Sequence, residues 1–157
     1  MIKLLRVDDR LIHGQVAVSW TSYLGADTIV VANDKAITDK LMQMAFNMAK
    51  PPQAVLSIKS MAVINNPKHA ARTIFVVTAS VEDAQYLMGK CPSITNLCVG
   101  GIRQAPGKKM VERQVYLDGK DMKGLEEIHA MGKDVYLQAV PTEKKLSYED
   151  IVKEYNK

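Results

Sequence analysis

Cysteine is scarce in this sequence. Cys91 and Cys98, seven positions apart, are the only two, and no Cys-x-x-Cys pair occurs. That excludes a disulfide scaffold and any cysteine-based metal spacing, and two such thiols read as reduced and buried in a cytosolic protein. Long apolar runs are also missing. Thr28–Ala32 and Ile74–Val77 are strand-length, far short of the ~20 residues a membrane-spanning helix needs. The opening MIKLLRVDDR lacks the apolar core of a secretory leader. No GxGxxG and no P-loop occurs, so nucleotide binding has no support and no cofactor is expected. Blocks of one charge sign are absent as well. The net charge of +4, from 21 basic and 17 acidic residues, is mild and dispersed. It gives no nucleic-acid footprint, but it suits an acidic protein partner or an anionic group.

What is present is ordinary globular material. A chain of 157 residues, 47% apolar and 24% charged, fits one domain with one core, and 1–157 is read as a single unit. Short apolar runs alternate with amphipathic stretches. Strands are expected at Ile2–Val7, Thr28–Ala32, Ala54–Ile58, Arg72–Val77, Ile94–Val99, Val115–Leu117 and Val135–Val140. Helices are expected over Gly14–Leu24, with Val16, Trp20, Tyr23 and Leu24 on one face, and over Asp34–Lys50, with a stripe of Ile37, Leu41, Met44, Ala45 and Met48 stopped by Pro51-Pro52. A short helix is read at Met61–Ile64. Another helix is capped by Ser80 and closed by Gly89. Lys120–Met131 is closed by Gly132, and Ser147 caps a final helix. Continuous apolar strands between helices predict an α/β fold: a doubly wound, mainly parallel sheet with helices on both faces. Ligands and chemistry gather beyond the carboxyl ends of such strands.

The ionisable groups gather at one such end. In VDDRLIHGQV (7–16), Asp8, Asp9, Arg10 and His13 fall between the first strand and the first helix. An anion beside His13 would meet the free N–H groups of the helix start at Gly14 and Gln15, plus the fork of Arg10. An imidazole there could be a general base, a metal ligand or a nucleophile. A nucleophile must be neutral, with its second nitrogen held by a hydrogen bond. Asp8 and Asp9 are close enough in sequence to hold Arg10 or His13. The competing reading is a plain surface ion pair, and the position of the loop argues against it.

RVDDRLIHGQVAVSW resembles the active-site segment of the enzyme IIB component of the mannose/fructose/sorbose family of the bacterial phosphotransferase system. ADTIVVANDKAITD, NNPKHA, ITNLCVGGIRQAPGKK and VPTEKKLSYEDIV resemble further segments of that family, in the same order. The resemblance implies a phosphotransferase subunit that takes a phosphoryl group from phosphorylated enzyme IIA and passes it to a sugar held by the membrane IIC/IID permease. It implies a cytoplasmic chain docked on that permease, and it leaves the sugar and the oligomeric state open. It implies that His13 is phosphorylated through Nδ1, that Arg10 steadies the phosphoryl group, and that Gly14 and Gln15 close around it. Asp8 and Asp9 match motif acids of unassigned role. Cys98 departs from the family's usual asparagine and is read as a small buried strand residue.

Five further positions carry two readings each. Asn33 and Asp34 could line the site, or serve as a turn former and a helix N-cap. Thr78 could face the site or simply enter a helix. Gly100 and Gly101 could admit a ligand to the backbone or turn the chain. Trp20 is read as a packing anchor and the methionines as core filling. His69 is read as a solvated loop residue and His129 as a helix-end cation. A receiver domain is a competing class, given the acidic pair and Thr78. It needs an aspartate ending the third strand, and AVLSIKS (54–60) has none. A nonenzymatic interaction module leaves the Asp-Arg-His loop unexplained.

Overall fold

The computed structural model describes residues 1–59 and 71–157. The reading of Met61–Ile64 as a helix and of His69 as solvated falls outside the described residues. The strands are β1 (Ile2–Asp8), β2 (Thr28–Ala32), β3 (Val55–Lys59), β4 (Ile74–Thr78), β5 (Asn96–Gly101), β6 (Lys109–Glu112), β7 (Val115–Leu117), β8 (Asp134–Leu137) and β9 (Leu146–Ser147). The helices are α1 (Gly14–Leu24), α2 (Asp34–Thr38), α3 (Lys40–Ala49), α4 (Val81–Lys90), α5 (Gly119–Ala130) and α6 (Tyr148–Tyr155).

Seven strands form one sheet in the order β3-β2-β4-β1-β5-β8-β9. Every pairing is parallel except β8 with β9. Side chains alternate across each strand, which sorts the core into two layers. Leu5, Val7, Val30, Val76, Leu97 and Val99 pack under α4, α5 and α6. Leu4, Ile29, Val31, Phe75, Cys98 and Tyr136 pack under α1 and the α2–α3 pair. This is the doubly wound architecture that the alternating pattern predicts. β1 sends its chain toward β2, while β4 and β5 send theirs the other way. The topological reversal therefore falls at β1, and the loop of Asp8–His13 leaves from it.

Several details differ from expectation, each for a physical reason. The expected Asp34–Lys50 helix breaks at Asp39, whose extended backbone and side chain restart it by accepting the Met42 N–H. The stripe it was to bury is largely open: Leu41, Met44 and Met48 are exposed, so these methionines are not core filling, and the helix turns Phe46 inward instead. On α1 the buried face is Ala17, Trp20 and Thr21, and Tyr23 is exposed. Gly89 lies inside α4 rather than past its end. Asn33, not Asp34, caps α2. β7 leaves the main sheet to pair with β6, a partner whose pattern KMVE is too short and polar to read. β8 ends at Leu137, and the antiparallel edge β9 is only two residues long.

Candidate active site

Positions 4, 6 and 8 share the α1 face of β1. A charged residue at position 6 of a central strand must therefore lie inside the protein. Arg6 is 2% exposed. Its Nη1 donates to the carbonyl of Gln138 and its Nη2 to that of Ala139, both at 2.8 Å. The guanidinium also lies 5.2 Å from the Trp20 ring centroid and 3.4 Å from Cys98 Sγ. Trp20 Nε1–H donates to the same Ala139 carbonyl, which makes it the anchor expected from the sequence. Arg6 Nη2 lies 3.8 Å from Asp8 Oδ2. The buried cation thus faces a buried anion, the condition under which either is tolerated.

Asp8 ends β1 and is itself buried. Its Oδ1 accepts the Arg10 N–H at 3.0 Å. Its Oδ2 lies 2.8 Å from His13 Nε2. A carboxylate already receiving donors on both sides can only accept, so the imidazole carries its proton on Nε2. Nδ1 is left with a lone pair, and it has no hydrogen-bond partner among the described residues. The ring is 22% exposed on its side chain. It is neither sealed in the core nor loose in solvent.

The intervening loop is tight. Leu11 donates its N–H to the Asp8 carbonyl and stands at φ +60, in the left-handed region. A non-glycine residue there costs ~1–3 kcal/mol, and functional sites are where such strain persists. The buried Leu11 and Ile12 side chains hold the loop down. Gly14 follows at φ +46. Gly14→Ala is expected to cost about 1 kcal/mol through that backbone angle alone, which is roughly 2–4 °C in Tm for a chain of this size. Calorimetry checks it, and an unchanged Tm removes the strain argument.

His13 is also the N-cap of α1, and no side chain fills that helix start. The other described helices are capped by Asn33, Asp39, Ser80, Asp118 and Ser147. The first N–H groups of α1, on the exposed Gly14 and Gln15, therefore keep their capacity for an anion. Arg10 is exposed, and its guanidinium has no hydrogen bond or ion pair among the described residues. Asp9 turns the other way: its Oδ2 accepts the N–H and Nε–H of Arg103 at 2.8 and 3.2 Å, clipping the loop to the end of β5.

The remaining candidates serve the frame. Asn33 spends its side-chain oxygen on the Ala36 N–H. Thr78 is fully buried and donates to the Ala32 carbonyl. Gly100 and Gly101 make room for side chains rather than for a ligand. A Cβ at 100 would sit 2.0 Å from Arg6 Cζ, and one at 101 would sit 3.1 Å from Asp8 Oδ1. Cys98 is the buried strand residue expected, though it touches Arg6, and burial pushes its thiol up to about 11. Sequence reasoning missed Arg6 itself. The available signal was a single charge interrupting the apolar run of a central strand.

An imidazole whose Nε2 is held by a buried carboxylate stands at an uncapped helix start, and the exposed Arg10 guanidinium of the same loop is unpaired among the described residues. That arrangement can accept and release an anionic group without a metal, and no His/Cys/Asp/Glu cluster suited to one occurs among the described residues. The family model described as "PTS system sorbose subfamily IIB component" matches residues 2–157. The chain is 30% identical to the PTS system sorbose-specific EIIB component of Klebsiella pneumoniae, covering 98% of this chain and 96% of that protein. It is 31% identical to the PTS system mannose-specific EIIAB component of Escherichia coli K12, over 100% of this chain but 50% of that one. It thus spans about half the length of the EIIAB relatives it matches. The crystal structure of the IIBSor domain of the sorbose permease from Klebsiella pneumoniae superposes with a TM-score of 0.90 at 30% identity, covering 98% of this chain and 97% of that one.

Proposed function

Since the chain belongs to the sorbose subfamily of IIB components of the phosphotransferase system, we propose that it is a phosphohistidine carrier subunit for sugar uptake. His13 accepts a phosphoryl group from phosphorylated enzyme IIA and yields it to a sugar held by the IIC/IID permease. The observation that carries this reading is the 2.8 Å contact of His13 Nε2 with the buried Asp8 carboxylate. It leaves Nδ1 as the nucleophile, at a helix start no side chain has filled.

The transfer balances simply. The lone pair of Nδ1 forms a new N–P bond as the bond between phosphorus and the donor's carrier atom breaks, and that atom leaves with the electron pair. In the second step a sugar hydroxyl oxygen attacks the same phosphorus. Nδ1 leaves with its electron pair, and the hydroxyl proton goes to solvent or a base of the permease complex. Such transfers need positioning and cations around the phosphoryl oxygens more than covalent help. Arg10 and the N–H groups of Gly14 and Gln15 supply these. Asp9 braces the loop through Arg103. The unit of function is the whole of 1–157, acting in the cytoplasm and docked on the permease. No described helix is long and apolar enough to cross a membrane.

The direct test is the linkage. Incubation with phosphorylated enzyme IIA is expected to give a phosphoramidate on His13 at Nδ1, labile in acid and stable in alkali. Phosphorus and nitrogen NMR of the labelled protein locates it. Phosphate on Nε2, or an acid-stable ester, overturns the assignment.

A further inference from the structure

Beyond the relay reading, and independently of it, we infer that the outer ridge of α3 is a lipid-contact surface that seats the chain on an anionic bilayer. The ridge is Leu41, Met44 and Met48, which are 78%, 62% and 86% exposed. Their spacing of three and then four residues sets them in one line along the helix. Ala45 is exposed beside them, and Ile37 of the preceding α2 is exposed as well. Phe46 is the one residue that α3 buries, so the helix turns more apolar surface outward than inward. Apolar surface gathered in one exposed patch marks a contact with a protein or a membrane.

Charge decides between the two. The net charge is spread in sequence, but not evenly. No carboxylate occurs between Asp39 and Glu82, and that stretch holds Lys40, Lys50, Lys59, Lys68 and Arg72. Of the 21 basic residues, these five leave 16 elsewhere against all 17 acidic ones. The whole positive excess therefore belongs to the segment that begins with α3. Lys40 and Lys50 stand at the two ends of that helix, and Lys59 ends the adjoining β3. Lys50 Nζ donates to the Ala54 carbonyl, and none of the three has a carboxylate partner among the described residues. Asp39, the acid next to α3 in sequence, accepts the Met42 N–H. A second copy laid against this ridge would bring like charges together. An anionic headgroup layer attracts them and takes up the apolar line between them. Lysine stems lie along apolar surface while their heads reach the headgroups, and flexible methionine needs no shaped groove. The placement also fits the task. α3 returns the chain from the carboxyl end of β2 to the amino end of parallel β3, so it lies along the sheet. Seating it leaves the strand ends, and His13 with them, open.

The test is sedimentation of the chain with vesicles of pure phosphatidylglycerol and of pure phosphatidylcholine. Binding to the anionic vesicles is expected to be about tenfold tighter or more than to the neutral ones, and to weaken as salt is raised. Replacing all three ridge residues, Leu41→Gln, Met44→Gln and Met48→Gln, is expected to lower anionic binding about tenfold or more, with the fold intact by circular dichroism. Lys40→Glu alone is expected to lower it about fivefold or more. Labelling of His13 by phosphorylated enzyme IIA, without vesicles, should stay within about twofold in both variants, because the ridge is remote from the reactive loop. Equal sedimentation with the two lipids overturns the inference, as does anionic binding that neither variant reduces. A dimer in analytical ultracentrifugation that the triple variant abolishes assigns the ridge to a second copy and overturns it too. Labelling that falls as far as vesicle binding assigns the ridge to a protein partner, with the same result.

Discussion

Replacing His13 with alanine is expected to abolish labelling by phosphorylated enzyme IIA, and replacing Asp8 with asparagine to slow it about 100-fold or more. The second effect follows from counting donors. Asp8 Oδ1 receives the Arg10 N–H and Oδ2 receives His13 Nε2–H. Asparagine has one oxygen and one NH2 in the same places. If the oxygen stays with the Arg10 N–H, the NH2 faces Nε2, and the imidazole must move its proton to Nδ1. The nucleophilic lone pair is then gone. If the amide turns over, its NH2 meets the Arg10 N–H and the loop loses its brace. Neither arrangement keeps both the geometry and the tautomer. Rapid-quench labelling, at a temperature where the variant is folded, measures the loss. A rate within threefold of the unsubstituted chain would show that Asp8 does not set the tautomer.

The largest stability effect is expected at Gly100. The added methyl of Gly100→Ala would lie 2.0 Å from Arg6 Cζ and 2.2 Å from its Nη2. The guanidinium cannot step aside. It is wedged against Trp20 and fixed by two backbone carbonyls. Displacing it would leave a buried charge without its partners, at a cost of about 3–5 kcal/mol. For a chain of this length that is roughly 6–20 °C in Tm. Urea unfolding monitored by circular dichroism gives the number. A loss below about 1 kcal/mol would mean that Arg6 is not held as described.

How much of this the sequence disclosed depended on which physical signal each part left. The parallel sheet was legible because Ile29, Val30 and Val31 and their counterparts in β4 are apolar on both faces, which only a doubly covered sheet requires. The candidate loop was legible because its ionisable groups are local, within eight residues of one strand end. Asp39 was less so, since a capping side chain inside an amphipathic run looks like one polar residue among others. The stripe of Leu41, Met44 and Met48 misled because periodicity reports an apolar face, not whether anything covers it. Arg6 was hidden for a different reason. Its partners come from residues 98, 138 and 139, and no local pattern shows that a strand and a distant loop will converge on one guanidinium. The purpose of Gly100 was invisible until that side chain was placed.

The position of β1 has a last consequence, for how the molecule breathes. Strands fray from the margins of a sheet, and here the margins are β3 and β9. β1 is flanked by β4 and β5, so the imidazole's support belongs to the part of the molecule that opens last. Local fluctuations can loosen either border while the His13 ring keeps its aim. Working as the proposed carrier, which would bind and leave two different proteins in every cycle, the chain would yield at its borders and stay stiff at His13.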